Sequence, residues 1–83
     1  MDKVLIKLYV PLIEEVFEAW VPIHKKVGEI IYLFCKSINE MTGGSYMPQE
    51  MPCLYDKVTA TQLNVNQNVK EAGIRNNTEL IMI

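Results

Sequence analysis

Few residues in this chain could carry out chemistry. His24 is its only histidine and stands beside Lys25-Lys26. It reads as an exposed residue at the end of a strand. Glu14-Glu15 reads as a solvated turn, not as the spaced carboxylate pair that general acid–base work requires. Cys35 and Cys53 are too few for a disulfide framework and form no CxxC pair, so both are expected to be buried free thiols. Asn76-Asn77-Thr78 matches a glycosylation sequon, which means nothing without secretion. No phosphate loop, metal-ligand spacing or nucleophile motif is present. The expectation is therefore a protein that is not an enzyme and needs no cofactor or metal.

What remains is binding, and composition narrows the partner. The chain has 83 residues, of which 49% are hydrophobic and 22% charged, a globular composition. Its length predicts a single domain over residues 1–83 with one core, since a domain this small buries only roughly 60% of the surface of its unfolded chain. The net charge is −2, with Lys and Arg scattered along the chain. That leaves no basic stripe for nucleic acid. No apolar run approaches the ~20 residues of a membrane span, and Lys7 interrupts the opening apolar stretch before it can serve as a signal-peptide core. The expected compartment is cytoplasmic, without direct membrane insertion.

The pattern of side chains then predicts the elements. Residues 4–10, VLIKLYV, form a strand with Val4, Ile6, Leu8 and Val10 on one face, ended by Pro11. Residues 15–21 form a second, with Phe17, Ala19 and Val21 inward and Val16, Glu18 and Trp20 outward. The short link through Pro11 to Glu14 predicts an antiparallel hairpin. The period then changes. Val27, Ile30, Ile31, Phe34, Cys35, Ile38 and Met41 make an apolar stripe on a helix over 25–41, stopped by Gly43-Gly44. A loop over 43–52 leads to a short strand at 53–55, a brief strand at 62–64, one helical turn at 69–74 and a last strand at 78–83. A hairpin, one long helix and a return to the sheet give an α+β fold with the helix on one face.

This order resembles the β-grasp roll of ubiquitin. The closing stretch NVKEAGIRNNTELIMI is similar to that of ubiquitin-like domains, with Val69 and Ile74 in the places of two buried aliphatic residues. The resemblance spans the whole chain, though loops differ and identity to ubiquitin is low. It implies a mixed sheet of four to five strands, the first and last paired in parallel at the centre. The compact length, the VLIKLYV opening and the Asn76-Asn77-Thr78-Glu79-Leu80 ending resemble the YukD/EsaB family of bacterial type VII secretion accessories. That resemblance implies a cytosolic regulatory protein that docks onto a secretion component.

Ubiquitin and the β-grasp sulfur carriers act through a flexible C-terminal Gly-Gly, where no side chain obstructs close approach. Here the given sequence stops at Ile83, inside the expected strand, and its one Gly-Gly lies in mid-chain at Gly43-Gly44. The expectation is a domain kept for binding and not conjugated. Two alternatives stand beside it. One is a modifier or sulfur carrier, if the natural C-terminus extends to a Gly-Gly. The other is a domain cut from a larger membrane secretion protein.

The binding surface follows from the alternation. With Val4, Ile6, Phe17, Ala19, Val21, Leu80 and Met82 toward the helix, Leu5, Tyr9, Trp20, Ile81 and Ile83 point outward, joined by Tyr55 or Leu54 from the third strand. An uncovered sheet face this apolar marks an interaction site, either for a protein partner or for a second copy in a homodimer. Ubiquitin uses the same sheet face for recognition, as the resemblance implies.

Overall fold

The structure is a computed structural model that describes residues 2–83; Met1 lies outside the described residues. Strand β1 (Lys3–Val10) turns through a single 3₁₀ turn, Pro11–Ile13, into β2 (Glu15–Pro22). Helix α1 (Val27–Met41), β3 (Leu54–Asp56) and β4 (Thr78–Met82) follow. The four strands form one sheet in the order β2-β1-β4-β3. The central pair, β1 and β4, runs parallel; β2 and β3 flank it antiparallel. The expected architecture is therefore present, with four strands.

Alternation places the core as expected. Ile6, Leu8, Val10, Val21, Leu80 and Met82 are buried with Val27, Ile30, Ile31 and Ile38 of the helix, while Val4, Phe17 and Ala19 pack at its margin. Val69 and Ile74 are also buried, as the closing stretch predicts. The stripe fails at its end. Met41 is exposed, because the last turn of α1 faces a groove beside β2 that no side chain fills. Cys35 and Cys53 are half-buried free thiols, not fully buried ones.

Four expected elements change form or bounds. The helix starts at Val27, not 25, because backbone from the 65–67 segment takes up its first amides. The Val27 N–H donates to Gln67 O at 2.8 Å and the Gly28 N–H to Val65 O at 3.1 Å. Those amides have no partner within a helix and need one. Residues 62–64 form no strand. Gln62 makes a single bridge to Tyr55, and the Leu63 N–H donates to Leu54 O. Residues 69–73 form turns, not a helical turn, closed by a reciprocal pair. The Asn68 N–H donates to Glu71 Oε1 at 3.0 Å and the Glu71 N–H to Asn68 Oδ1 at 2.7 Å. The last strand ends at Met82, yet Ile83 and Cys53 still exchange both backbone bonds, at 3.0 and 2.7 Å.

The loop after the helix is tied down by the helix itself. Gly43 and Gly44 have φ of 65° and 90°, the left-handed geometry that ends a helix. The Thr42 hydroxyl donates to Ile38 O at 2.8 Å and accepts the Tyr46 N–H at 3.1 Å. The Asn39 amide donates to Tyr46 O at 2.8 Å. These bonds fold Tyr46 back into the core, where it is 2% exposed.

Strain is stored at Ala60, whose φ of 58° is left-handed although it carries a Cβ. The exposed turn is held by the Ala60 N–H donating to Asp56 O at 2.8 Å. Ala60→Gly is expected to stabilise the fold by about 0.5–1 kcal/mol. A rise in the thermal midpoint of a few degrees would show it; a fall would mean the turn is not under strain.

Candidate protein-binding interface

Helix α1 covers one face of the sheet and leaves the other bare. Strand registers define what lies across that bare face. Val16 pairs with Tyr9, Tyr9 with Ile81, and Ile81 with Tyr55, so one apolar row crosses all four strands. Cross-strand neighbours at this spacing touch and support one another. The next row is charged. Lys7 stands between Glu18 and Glu79, and Glu79 Oε1 lies 3.8 Å from Lys57 Nζ. Beyond it Trp20 pairs with Leu5, whose carbonyl accepts the Asn77 N–H at 2.7 Å.

Each expected contact residue can now be placed. Tyr9, Ile81 and Tyr55 come together in the four-strand row, half-buried against one another. Tyr55, not Leu54, is the outward residue of β3, since Leu54 is buried. Trp20 and Leu5 form a separate corner, with Trp20 56% exposed. Ile83 is exposed just past β4 and shares a concavity of about 410 Å³ with Leu12 and the loop from Tyr46 to Cys53. The bare face is thus two apolar patches parted by a charged ladder. Alternation alone does not show this, because the ladder joins Lys7, Glu18 and Glu79 from three distant stretches of chain.

Val16 completes the long row and is 61% exposed, but sequence reasoning assigned it only to the wet face. The signal was available, since Val16 has the same parity as Trp20 and sits opposite Tyr9 once the hairpin register is known. The surface is suited to burying aromatic and aliphatic anchors between charged rims, the arrangement of a protein-binding patch. The described residues contain no cluster of three His, Cys, Asp or Glu side chains that could hold a metal, and no helix long and apolar enough to cross a membrane.

No protein-family model matches the chain, and no curated protein matches it. Solved structures do. The ubiquitin-like domain of the type VII secretion protein ECCD1 of Mycobacterium tuberculosis aligns over 100% of this chain and 99% of its own, with TM-score 0.78 and 11% identity. The EccD5 ubiquitin-like domain of Mycobacterium xenopi aligns over 100% and 94%, with TM-score 0.77 and 12% identity. A chain of the ESX-5 inner membrane complex aligns with TM-score 0.81 and 12% identity; this protein spans 21% of that chain's length. At such identities the likeness shows the fold, which is the ubiquitin-like β-grasp.

Proposed function

We propose that this ubiquitin-like fold serves as a non-enzymatic docking module, a cytoplasmic accessory of a bacterial type VII secretion system that binds a protein of the membrane complex. The observation that carries the reading is the row Val16–Tyr9–Ile81–Tyr55, an apolar surface spanning the sheet on the side the helix leaves bare. The similarity to EccD ubiquitin-like domains supports the secretion context. The non-conjugated reading is supported by Gly43-Gly44, whose left-handed backbone is built into the close of α1. Docking would place Tyr9, Ile81 and Tyr55 at the centre of the contact, with Trp20 and Leu5 at one side and Ile83 at the sheet end.

A second reading is favoured by the ESX-5 chain, of which this protein matches a fifth. The domain would then be one part of a larger membrane protein, docking in cis. The sequence of the natural full-length gene separates the two.

Ile81→Ser together with Trp20→Ser tests the surface. Both side chains point away from the core, so the circular dichroism spectrum should be unchanged. Capture of solubilised type VII membrane components by the tagged domain should fall at least about tenfold, the effect of removing central anchors. Capture that survives both substitutions would sink the reading.

A further inference from the structure

Strand β2 lies at the edge of the sheet, and its outer backbone is unpaired at Val16, Glu18 and Trp20, while the Pro22 carbonyl accepts the Lys25 N–H at 3.4 Å. The Ile23 N–H donates to Asp2 O at 2.9 Å, which continues the β1–β2 ladder. In an antiparallel pair both backbone groups of a residue point the same way and neighbours alternate. Odd-numbered residues of β2 therefore bond to β1, and Val16, Glu18 and Trp20 turn their N–H and C=O groups outward. Among the described residues none of these groups finds a partner elsewhere. Pro22, with no N–H to leave bare, has the same outward parity. Beside this edge runs a groove of about 350 Å³ between β2 and α1, lined by Phe17, Leu33, Phe34 and Met41.

The charges along the edge are polarised. Glu14 and Glu15 stand at the start of β2, and His24, Lys25 and Lys26 directly after its end. All are exposed. An antiparallel copy of the strand would bring each acidic end against a basic end. We propose that the occupant of this edge and groove is a second copy of this chain, paired β2 to β2 about a two-fold axis at Ala19.

The register follows by elimination. An axis at Glu18 sets that carboxylate against itself. An axis at Phe17 gathers Glu14, Glu15 and Glu18 of both copies in one place. An axis at Trp20 leaves only the two bonds of the Trp20–Trp20 pair clear of Pro22, since Glu18 then faces Pro22, which cannot donate. An axis at Ala19 pairs Glu18 with Trp20 of the second copy twice over, four bonds between outward backbone groups, and puts Pro22 opposite Val16 only at the end of the ladder. It sets Phe17 against Val21 on the groove side and Glu14 against His24 at the ends. The smallest side chain of the strand lies on the axis, where the copies approach most closely. The two sheets join into one, and the half-buried Phe17 of each copy lies beside the groove of the other. Tyr9, Ile81 and Tyr55 stay open, so this contact leaves the centre of the docking surface proposed above free and meets it only at Val16 and Trp20.

Sedimentation equilibrium from about 10 μM to about 1 mM reads the self-association. A dimer is expected at the upper end. Trp20→Pro removes an outward N–H without touching the β1 bonds and should weaken the dimer. Should Trp20→Pro fail to fold, charge reversal decides. Glu14→Lys with Glu15→Lys, and separately Lys25→Glu with Lys26→Glu, should each weaken association roughly tenfold at low salt. Mixing the two variants should restore it. Ile81→Ser should leave it intact. A chain that stays monomeric throughout overturns the proposal, and so does a dimer that is indifferent to the charge reversals or not restored by mixing.

Discussion

Leu80→Ala should cost the domain about 3 kcal/mol, a large part of the total stability of a fold this size. Leu80 sits in the central strand β4, opposite Leu8 of β1, and is 1% exposed. Truncation removes buried methyl groups and leaves a cavity that a sheet bonded on both sides cannot collapse to fill. Its neighbour Ile81 points the other way, so Ile81→Ala should cost far less, on the order of 1 kcal/mol. Urea denaturation reads both, as a shift in midpoint at constant slope. The contrast between adjacent residues is the sharper result. Equal losses, or the reverse order, would mean that β4 is slipped by one residue, which would also turn the proposed interface inside out.

Alkaline conditions should destabilise the protein from about pH 9 upward, and Tyr46 should dominate the loss. Burial, then the neighbouring Cys35 and the hydrogen bond to it, push the Tyr46 hydroxyl up from 10.0 to about 12. Burial also pushes the Cys35 thiol up from 9.0, opposed by its hydrogen bond with Tyr46. Both groups are neutral when protonated, so the folded chain keeps protons that the unfolded chain releases. Unfolding then gains from rising pH. The contribution is complete below the unfolded values and falls away as pH climbs toward 12, by about 2–3 kcal/mol. Urea midpoints at pH 8 and about pH 11 would show it. Tyr46→Phe keeps the ring and removes the titrating group, so the slope attributable to Tyr46 should vanish. A variant that loses stability as steeply as the parent would show that other groups carry the effect, the lysines first among them.

The two predictions differ in how visible their residues are before folding. Leu80 is marked as core by alternation with Ile81 and Met82, a pattern contained within one strand. Tyr46 follows a helix stop and a Gly-Gly and precedes two prolines, so nothing nearby distinguishes it from a solvated loop residue. It is buried because Thr42 and Asn39 bond its backbone back onto the end of the helix. The same contrast holds for the segment 69–74. Its two aliphatic residues are core as the resemblance to ubiquitin-like domains implies, but its helical turn is replaced by turns closed between Asn68 and Glu71, since the Val69 and Lys70 amides are drawn to the carbonyls of Lys25 and Ile23.

The sequence by itself determined the three long strands, the helix and the side of each that is buried. Those properties repeat every two or every three to four residues, and a periodic pattern is complete within its own stretch of chain. It also determined that Leu5, Tyr9, Trp20 and Ile81 point away from the core. Only the tertiary structure decided what they make together. Tyr9 meets Ile81 across 72 positions, Lys7 meets Glu79 between two patches, and β2 rather than β3 borders the groove. Those relations are fixed by strand order and register, which come from the whole sheet closing over the helix and have no period in the chain to announce them.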